Sequence, residues 1–176
     1  MAYAPVVLAS GTISNSATLT IDFSNYYTRY NELEVHIMGL VPVTTDTTLT
    51  MTISADGTNF DTGAGSYEWA SSFMAGGTGY ANGGGSTSAT SITISQHVNT
   101  GSGGNASYKI KIYNVSSGSL RPFFDIDGVT TGSSLAMLAN KTYAQRLNAQ
   151  VCRAIKLQMS SGNISSAYYS VTGYTI

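Results

Sequence analysis

Three small groups of side chains in this sequence could do chemistry. Glu32, Glu34 and His36 alternate along one short stretch. In an extended strand all three point the same way. Carboxylate and imidazole on one strand face are how a cupin-type jelly roll holds a metal. Such a site calls for two or three histidines, and the chain has only His36 and His97, so a solvated strand face is the plainer reading. Asp125 and Asp127 also share a face, and Gly128 follows. A carboxylate pair can run glycoside hydrolysis or hold a calcium ion. This stretch lacks the dense ligand spacing of a calcium loop, and Asp residues before Gly read as turn formers. Cys152 has Arg153 beside it, but neighbours on a strand face opposite ways, so the thiol reads as buried and structural, on a strand. No serine sits in Gly-x-Ser-x-Gly, and the glycine tract of residues 75–86 lacks the Gly-Lys-Ser/Thr of a phosphate cradle. These residues point to no catalytic group and no cofactor.

The aromatic residues say more. Tyr26, Tyr27 and Tyr30 stand just before the Glu32 stretch, and Tyr168, Tyr169 and Tyr174 close the chain. Tyrosine offers a large contact area and a hydroxyl at low entropic cost, which suits interfaces. Tyr26, Tyr27, Tyr30, Trp69, Tyr80, Tyr168 and Tyr174 are the interface candidates; the bland alternative is that half the tyrosines line the core. Stacking on sugars is the second use of such rings.

Composition narrows the class. The chain has 176 residues, with 8 basic against 9 acidic side chains and a formal charge of −1. A balance so close to zero argues against a nucleic-acid partner, which needs a basic stripe. Charged residues make up 10%, against about 25% in an average soluble domain. Ser and Thr supply about a quarter of the chain and keep the surface wet instead. One Cys rules out an internal disulfide and a zinc site built on several thiolates. No segment reaches the ~20 apolar residues that cross a bilayer, and no positive n-region precedes the opening apolar run, so neither a membrane nor a secretory signal is expected. The four Asn-x-Ser/Thr triplets, at Asn105, Asn114, Asn140 and Asn163, arise by chance in so hydroxyl-rich a chain.

Those side chains must be positioned by strands. Period-two alternation recurs in residues 17–23, 32–37, 47–54, 108–115, 123–127, 154–159 and 167–174, with residues 67–73 and 91–95 as further strands. Asp56-Gly57 after the third of these is a hairpin signal. Eight to ten short strands without a convincing helix predict an all-β chain: one two-sheet antiparallel sandwich over 1–176, jelly-roll-like, with an immunoglobulin-like sandwich as runner-up. Residues 134–140 are the best helical stretch, with a strand or single turn as ready an alternative. Residues 1–10 read as a first strand or a docking arm. The tract 75–86, dominated by Gly, reads as a long loop leaving the sandwich.

Three stretches then carry a resemblance. They are the hairpin Thr52-Ile53-Ser54-Ala55-Asp56-Gly57-Thr58-Asn59-Phe60-Asp61, the run Ser160-Ser161-Gly162-Asn163-Ile164, and the terminal Tyr168-Tyr169-Ser170-Val171-Thr172-Gly173-Tyr174. Together with Ala9-Ser10-Gly11-Thr12-Ile13-Ser14 they resemble small virion proteins of tailed bacteriophages. The likeness spans most of the chain and lies in turn chemistry. It implies a β-sandwich in the virion, a homotrimer, without enzymatic activity. Related modules decorate (cement) capsids or tip tail fibres. A free-standing domain starting at Met1 favours a capsid decoration protein seated on the major capsid protein or another virion protein, at the capsid surface. A tail-fibre or receptor- and glycan-binding tail protein is the alternative.

Overall fold

A computed structural model describes residues 5–76, 81–100, 105–132 and 137–174. Among them are twelve strands: β1 (Val6–Ser16), β2 (Thr18–Asp22), β3 (Glu32–Pro42), β4 (Thr47–Ser54), β5 (Tyr67–Ala75), β6 (Ala81–Ala89), β7 (Ile92–Val98), β8 (Ala106–Tyr113), β9 (Phe123–Thr131), β10 (Met137–Arg146), β11 (Ala154–Met159) and β12 (Ile164–Tyr174). They form an eight-stranded sheet, in the order β1-β12-β3-β8-β9-β10-β5-β6, and a four-stranded sheet, β2-β11-β4-β7. Every pairing is antiparallel. The expected all-β two-sheet sandwich is the fold; its strands divide eight and four.

Alternation builds the core. On the small sheet Leu19, Ile21, Met51, Ile53, Ile155 and Leu157 turn inward in register, and the intervening Thr18, Thr20, Thr50, Thr52, Lys156 and Gln158 turn out. Leu33, Val35, Ile37, Ile110, Ile112, Phe124 and Ile126 supply the facing layer from the large sheet. Each such Leu, Ile or Phe contributes about 1.5–3 kcal/mol by leaving water. The four strands of the small sheet face eight in the large one, and β7 packs against β5, β9 and β10.

Several expectations need correction. The tract 75–86 is not a long loop: Gly83, Gly84 and Gly85 lie in β6 and pair with Ser72, Ser71 and Ala70. Glycine is tolerated on this edge strand because the Trp69 indole lies 3.5 Å from where a Gly84 Cβ would stand, so the ring supplies the missing packing. Residues 77–80 lie outside the described set. Of the two readings of residues 1–10, first strand or docking arm, the strand holds from Val6 on, as part of β1 paired along β12; residues 1–4 are outside the described set. For residues 134–140 the strand alternative, not the helix, holds from Met137 on, as β10; residues 134–136 are not described. Asp127-Gly128 is no turn but the middle of β9. Only Gly fits there, since a Cβ would come within 2.2 Å of the Tyr108 ring. Asp56-Gly57 makes a tight turn closed by a Ser54–Phe60 bridge, after which the chain crosses to the other sheet at β5 instead of returning in a long hairpin. Cys152 sits just before β11, not on a strand.

A buried polar tie holds that crossing. Arg146, at the end of β10, is 2% exposed. Its Nε donates to Asp61 Oδ2 at 2.6 Å, and Nη2 to Gln150 Oε1 at 2.8 Å. The Tyr67 hydroxyl, also buried, accepts from the Ile53 N–H at 2.8 Å and donates to the Asp61 carbonyl at 2.9 Å. Burial pushes the Tyr67 phenol well above its ordinary range.

Candidate functional site

The outer face of the large sheet, away from the small one, concentrates the chain's unusual side chains. Strand register lays them out in rows. Thr172, Glu34, Lys111, Asp125, Tyr143 and Ala70 are successive cross-strand neighbours, and Ser170, His36, Lys109, Asp127, Lys141 and Ser72 form the next row. Three of the eight basic and five of the nine acidic residues alternate onto this face, namely Lys109, Lys111, Lys141, Glu32, Glu34, Glu68, Asp125 and Asp127.

Several of these charges pair within the belt, which keeps a net excess of carboxylates. Lys141 Nζ pairs with both Asp125 and Asp127, the latter at 2.8 Å, and lies 5.0 Å from the centre of the Tyr143 ring. Partial burial disfavours the ammonium, but the hydrogen bonds it donates to Asp125 and then Asp127, with their charges, outweigh it and hold Lys141 above the ordinary lysine range. Glu34 accepts from His36 Nε2 at 2.5 Å and stands 3.9 Å from Lys111 Nζ. Tyr174 is pushed up, first by burial and then by the Glu34 charge. Two carboxylates sharing one lysine form an ion-paired surface cluster, and nothing in this arrangement separates an acid from a base.

The sequence-named chemistry stays apart. His36 is on the large sheet; His97 ends β7 of the small one, at φ 62°, with Nδ1 2.6 Å from Asp46 Oδ1. Among the described residues no three His, Cys, Asp or Glu side chains are placed to hold a metal ion. Cys152 is fully buried, and burial pushes its thiol up to about 12 against the pull of Arg146, so it is an inert core thiol.

The named aromatics take several positions. Tyr26, Tyr27 and Tyr30 follow β2 in a turn where the Tyr26 and Tyr27 N–H groups both donate to the Phe23 carbonyl. Tyr27 and Tyr30 pack on the core. The Tyr27 hydroxyl accepts from Arg153 Nη2 at 2.9 Å, and the Tyr30 ring fills the space over Gly173. Trp69 is half-buried over Gly84. Tyr174 is half-buried, and Tyr168 is exposed on the large outer face. Tyr80 lies outside the described residues.

Two apolar regions flank the charged belt at opposite ends of this face. At one end stand Tyr168, Met38, Val129, Met74 and Met137, all exposed, the last by 60%. The bulge at Gly39 (φ 59°) shifts the β3–β8 register after Ile37, which returns Leu40 to the core and leaves Met38 facing out. A shallow depression of about 410 Å³ opens between Met38 and Val129. At the other end a groove of about 740 Å³ runs past Phe123 and Tyr143, with Glu68 and Gln145 beside them. Gln145 Nε2 donates to Glu68 Oε2 at 2.5 Å. Beyond Tyr143 the row continues as Ala70 and Gly85, whose lack of side-chain bulk makes the hollow. None of Met38, Met74, Phe123, Val129, Met137 and Tyr143 is among the residues the sequence singles out for binding. Their only signal is one or two apolar residues on the polar side of an alternating strand, and which of them meet depends on cross-strand register.

No family model matches this chain. No curated protein matches it either. Among solved structures, a PL-14 alginate lyase from Aplysia kurodai is 10% identical, with 98% of this chain and 81% of that one covered, at a TM-score of 0.27. The D1-D2-D3 domains of the flagellar cap protein FliD from Escherichia coli are 13% identical, covering 93% and 57%, at a TM-score of 0.13. At such scores neither likeness carries an argument about this molecule.

Proposed function

We propose that this chain is a non-enzymatic structural protein that adheres to other protein subunits through the outer face of its large sheet, in the manner of a phage capsid decoration (cement) protein. One observation carries the adhesive reading. Of the eleven large apolar side chains exposed among the described residues, five (Met38, Met74, Val129, Met137 and Tyr168) gather at one end of that face. Exposed apolar side chains gathered in this way mark interaction sites, and methionine adapts its shape to a partner. The virion setting is supported by the resemblance in turn chemistry, in particular the Asp56 turn and the Ser160–Ile164 run. A protein of this kind stabilises a shell by binding the assembled state and not the broken one.

The test is to assemble phage shells with and without this chain and to heat them. Shells carrying it survive to higher temperature; equal survival overturns the reading. Imaging of a labelled copy distinguishes a capsid position from the tail.

A further inference from the structure

We propose that the groove between Phe123 and Tyr143 binds a pyranose ring of an oligosaccharide. This site stands at the opposite end of the large face from the methionines, and the inference does not rest on the decoration reading. A pyranose presents apolar C–H faces and a rim of hydroxyls, so its site needs an aromatic wall next to hydrogen-bonding groups fixed in place. The groove holds both. Phe123 and Tyr143 lie on neighbouring strands, diagonally placed, since Phe123 opposes Gln145 and Asp125 opposes Tyr143. They are 48% and 58% exposed. Rings normally retreat into a core, yet here the row beyond Tyr143 shrinks to Ala70 and Gly85, which leaves a hollow of about 740 Å³ beside them. That volume falls in the ordinary range of small-ligand sites.

The polar groups match hydroxyls better than any other ligand chemistry. Glu68 and Gln145 are cross-strand partners, and the 2.5 Å bond between them fixes both planes. That bond uses one Gln145 N–H and one Glu68 oxygen. It leaves the second Glu68 oxygen, the Gln145 carbonyl and the other amide N–H for a ligand, a set of acceptors and one donor suited to vicinal hydroxyls. A phosphate or nucleotide is disfavoured by the Glu68 carboxylate at the groove and by Lys141 being already paired with Asp125 and Asp127. A wholly apolar ligand would strip water from Glu68 and Gln145 without replacing it.

The experiment is a printed array of hexose, N-acetylhexosamine and uronate oligosaccharides, followed by calorimetric titration with whichever glycan is retained. The wild-type chain retains at least one, and Phe123→Ala and Tyr143→Ala each weaken it about tenfold or more. Tyr143→Phe keeps the stacking surface and retains binding within about threefold. Ala70→Leu fills the hollow from an exposed position and abolishes binding while the fold is intact. The paired change Met74→Ser and Met137→Ser, at the far end, leaves sugar binding unchanged, which separates this site from the adhesive end. Retention of no array glycan by the wild type overturns the proposal. So does retained binding that Phe123→Ala, Tyr143→Ala and Ala70→Leu all leave intact.

Discussion

The two outer faces of this sandwich are built from the same alternation and differ in what they expose. On the small sheet the outward positions of β2, β4 and β11 are Thr18, Thr20, Thr50, Thr52, Lys156 and Gln158. Most of these are in reach of water, and Thr50 Oγ1 donates to the Gln158 carbonyl at 3.2 Å; Thr52 is the exception, its hydroxyl buried without a partner. On the large sheet the outward positions carry methionines, aromatic rings and most of the acidic side chains. A threonine-coated face costs little to leave in water. A face with Met137 60% exposed costs more, since apolar area in water is unfavourable by roughly 25 cal/mol per Å². One face is therefore a finished surface and the other is suited to being covered.

The largest expected effect comes from breaking what joins the faces. Arg146 anchors the end of β10 to Asp61 in the β4–β5 crossing. Arg146→Ala removes a buried guanidinium and strips Asp61 of its partner, and a loss of about 3 kcal/mol is expected. Urea unfolding with an unchanged slope measures it. A loss below about 1 kcal/mol would mean the tie is dispensable and that packing alone sets how β5 and β10 sit.

Next comes the smoothness of the large face. Gly128→Ala places a Cβ 2.2 Å from Tyr108 Cδ1, a ring buried under the sheet. Either the ring or β9 must shift, at a cost of about 1–3 kcal/mol. Gly118→Ala, where nothing lies within 4 Å, stays within about 0.5 kcal/mol of wild type. Thermal denaturation of the two variants side by side decides whether Gly128 is there for close approach or is incidental.

These two residues also show where sequence reading reaches its limit. Strands β2, β3, β4, β8 and β11 are legible because nearly every second residue must reach the core and is Leu, Ile, Val or Met. Strand β10 is not, because its inward side chains include Asn140, Thr142 and Arg146 while Met137 and Tyr143 face out. Polar groups can face in there because they find partners: Thr142 Oγ1 donates to the Ile94 carbonyl and Arg146 to Asp61. Strand β6 is illegible for the opposite reason, having glycines where a pattern would be and borrowing its packing from Trp69. The candidate surface depends on both strands, since Tyr143 comes from β10 and Gly85 from β6. Its apolar ends are visible only once the register places Val129 beside Ala139 and Phe123 beside Gln145.

A matched pair of charge insertions tests the comparison of faces directly. Met74→Lys with Val129→Lys on the large face, and Thr20→Lys with Thr50→Lys on the small one, all replace outward side chains. Stability is expected to move by about 0.5 kcal/mol or less per change in both pairs. Co-sedimentation with shells falls tenfold or more, about 1.4 kcal/mol, only for the large-face pair. Equal loss from both pairs would mean that adhesion is a general property of a low-charge surface and not of one face.

The smallest effects are expected at the extremes of pH, and there the two sheets fail in opposite directions. The turn after β4 on the small sheet holds Asp56, whose carboxylate accepts from the Asn59 side chain and N–H, the Thr58 N–H and the Ser54 hydroxyl. These bonds hold it well below the usual carboxylate range. A lowered acid contributes stability above its unfolded value of about 4, and that contribution disappears as pH falls through the folded value. Lys141 on the large face is raised, so its contribution is complete below about 10.4 and disappears as pH rises through the higher folded value. Both groups are solvent-accessible, and water screens what they contribute. Asp56→Asn should flatten the acid side of the stability profile and leave the alkaline side alone, and Lys141→Gln should flatten the alkaline side. Chemical denaturation from pH 3 to pH 11 reads both. If Lys141→Gln left the alkaline limb unchanged, the pairing of Lys141 with Asp125 and Asp127 would contribute nothing measurable to the fold.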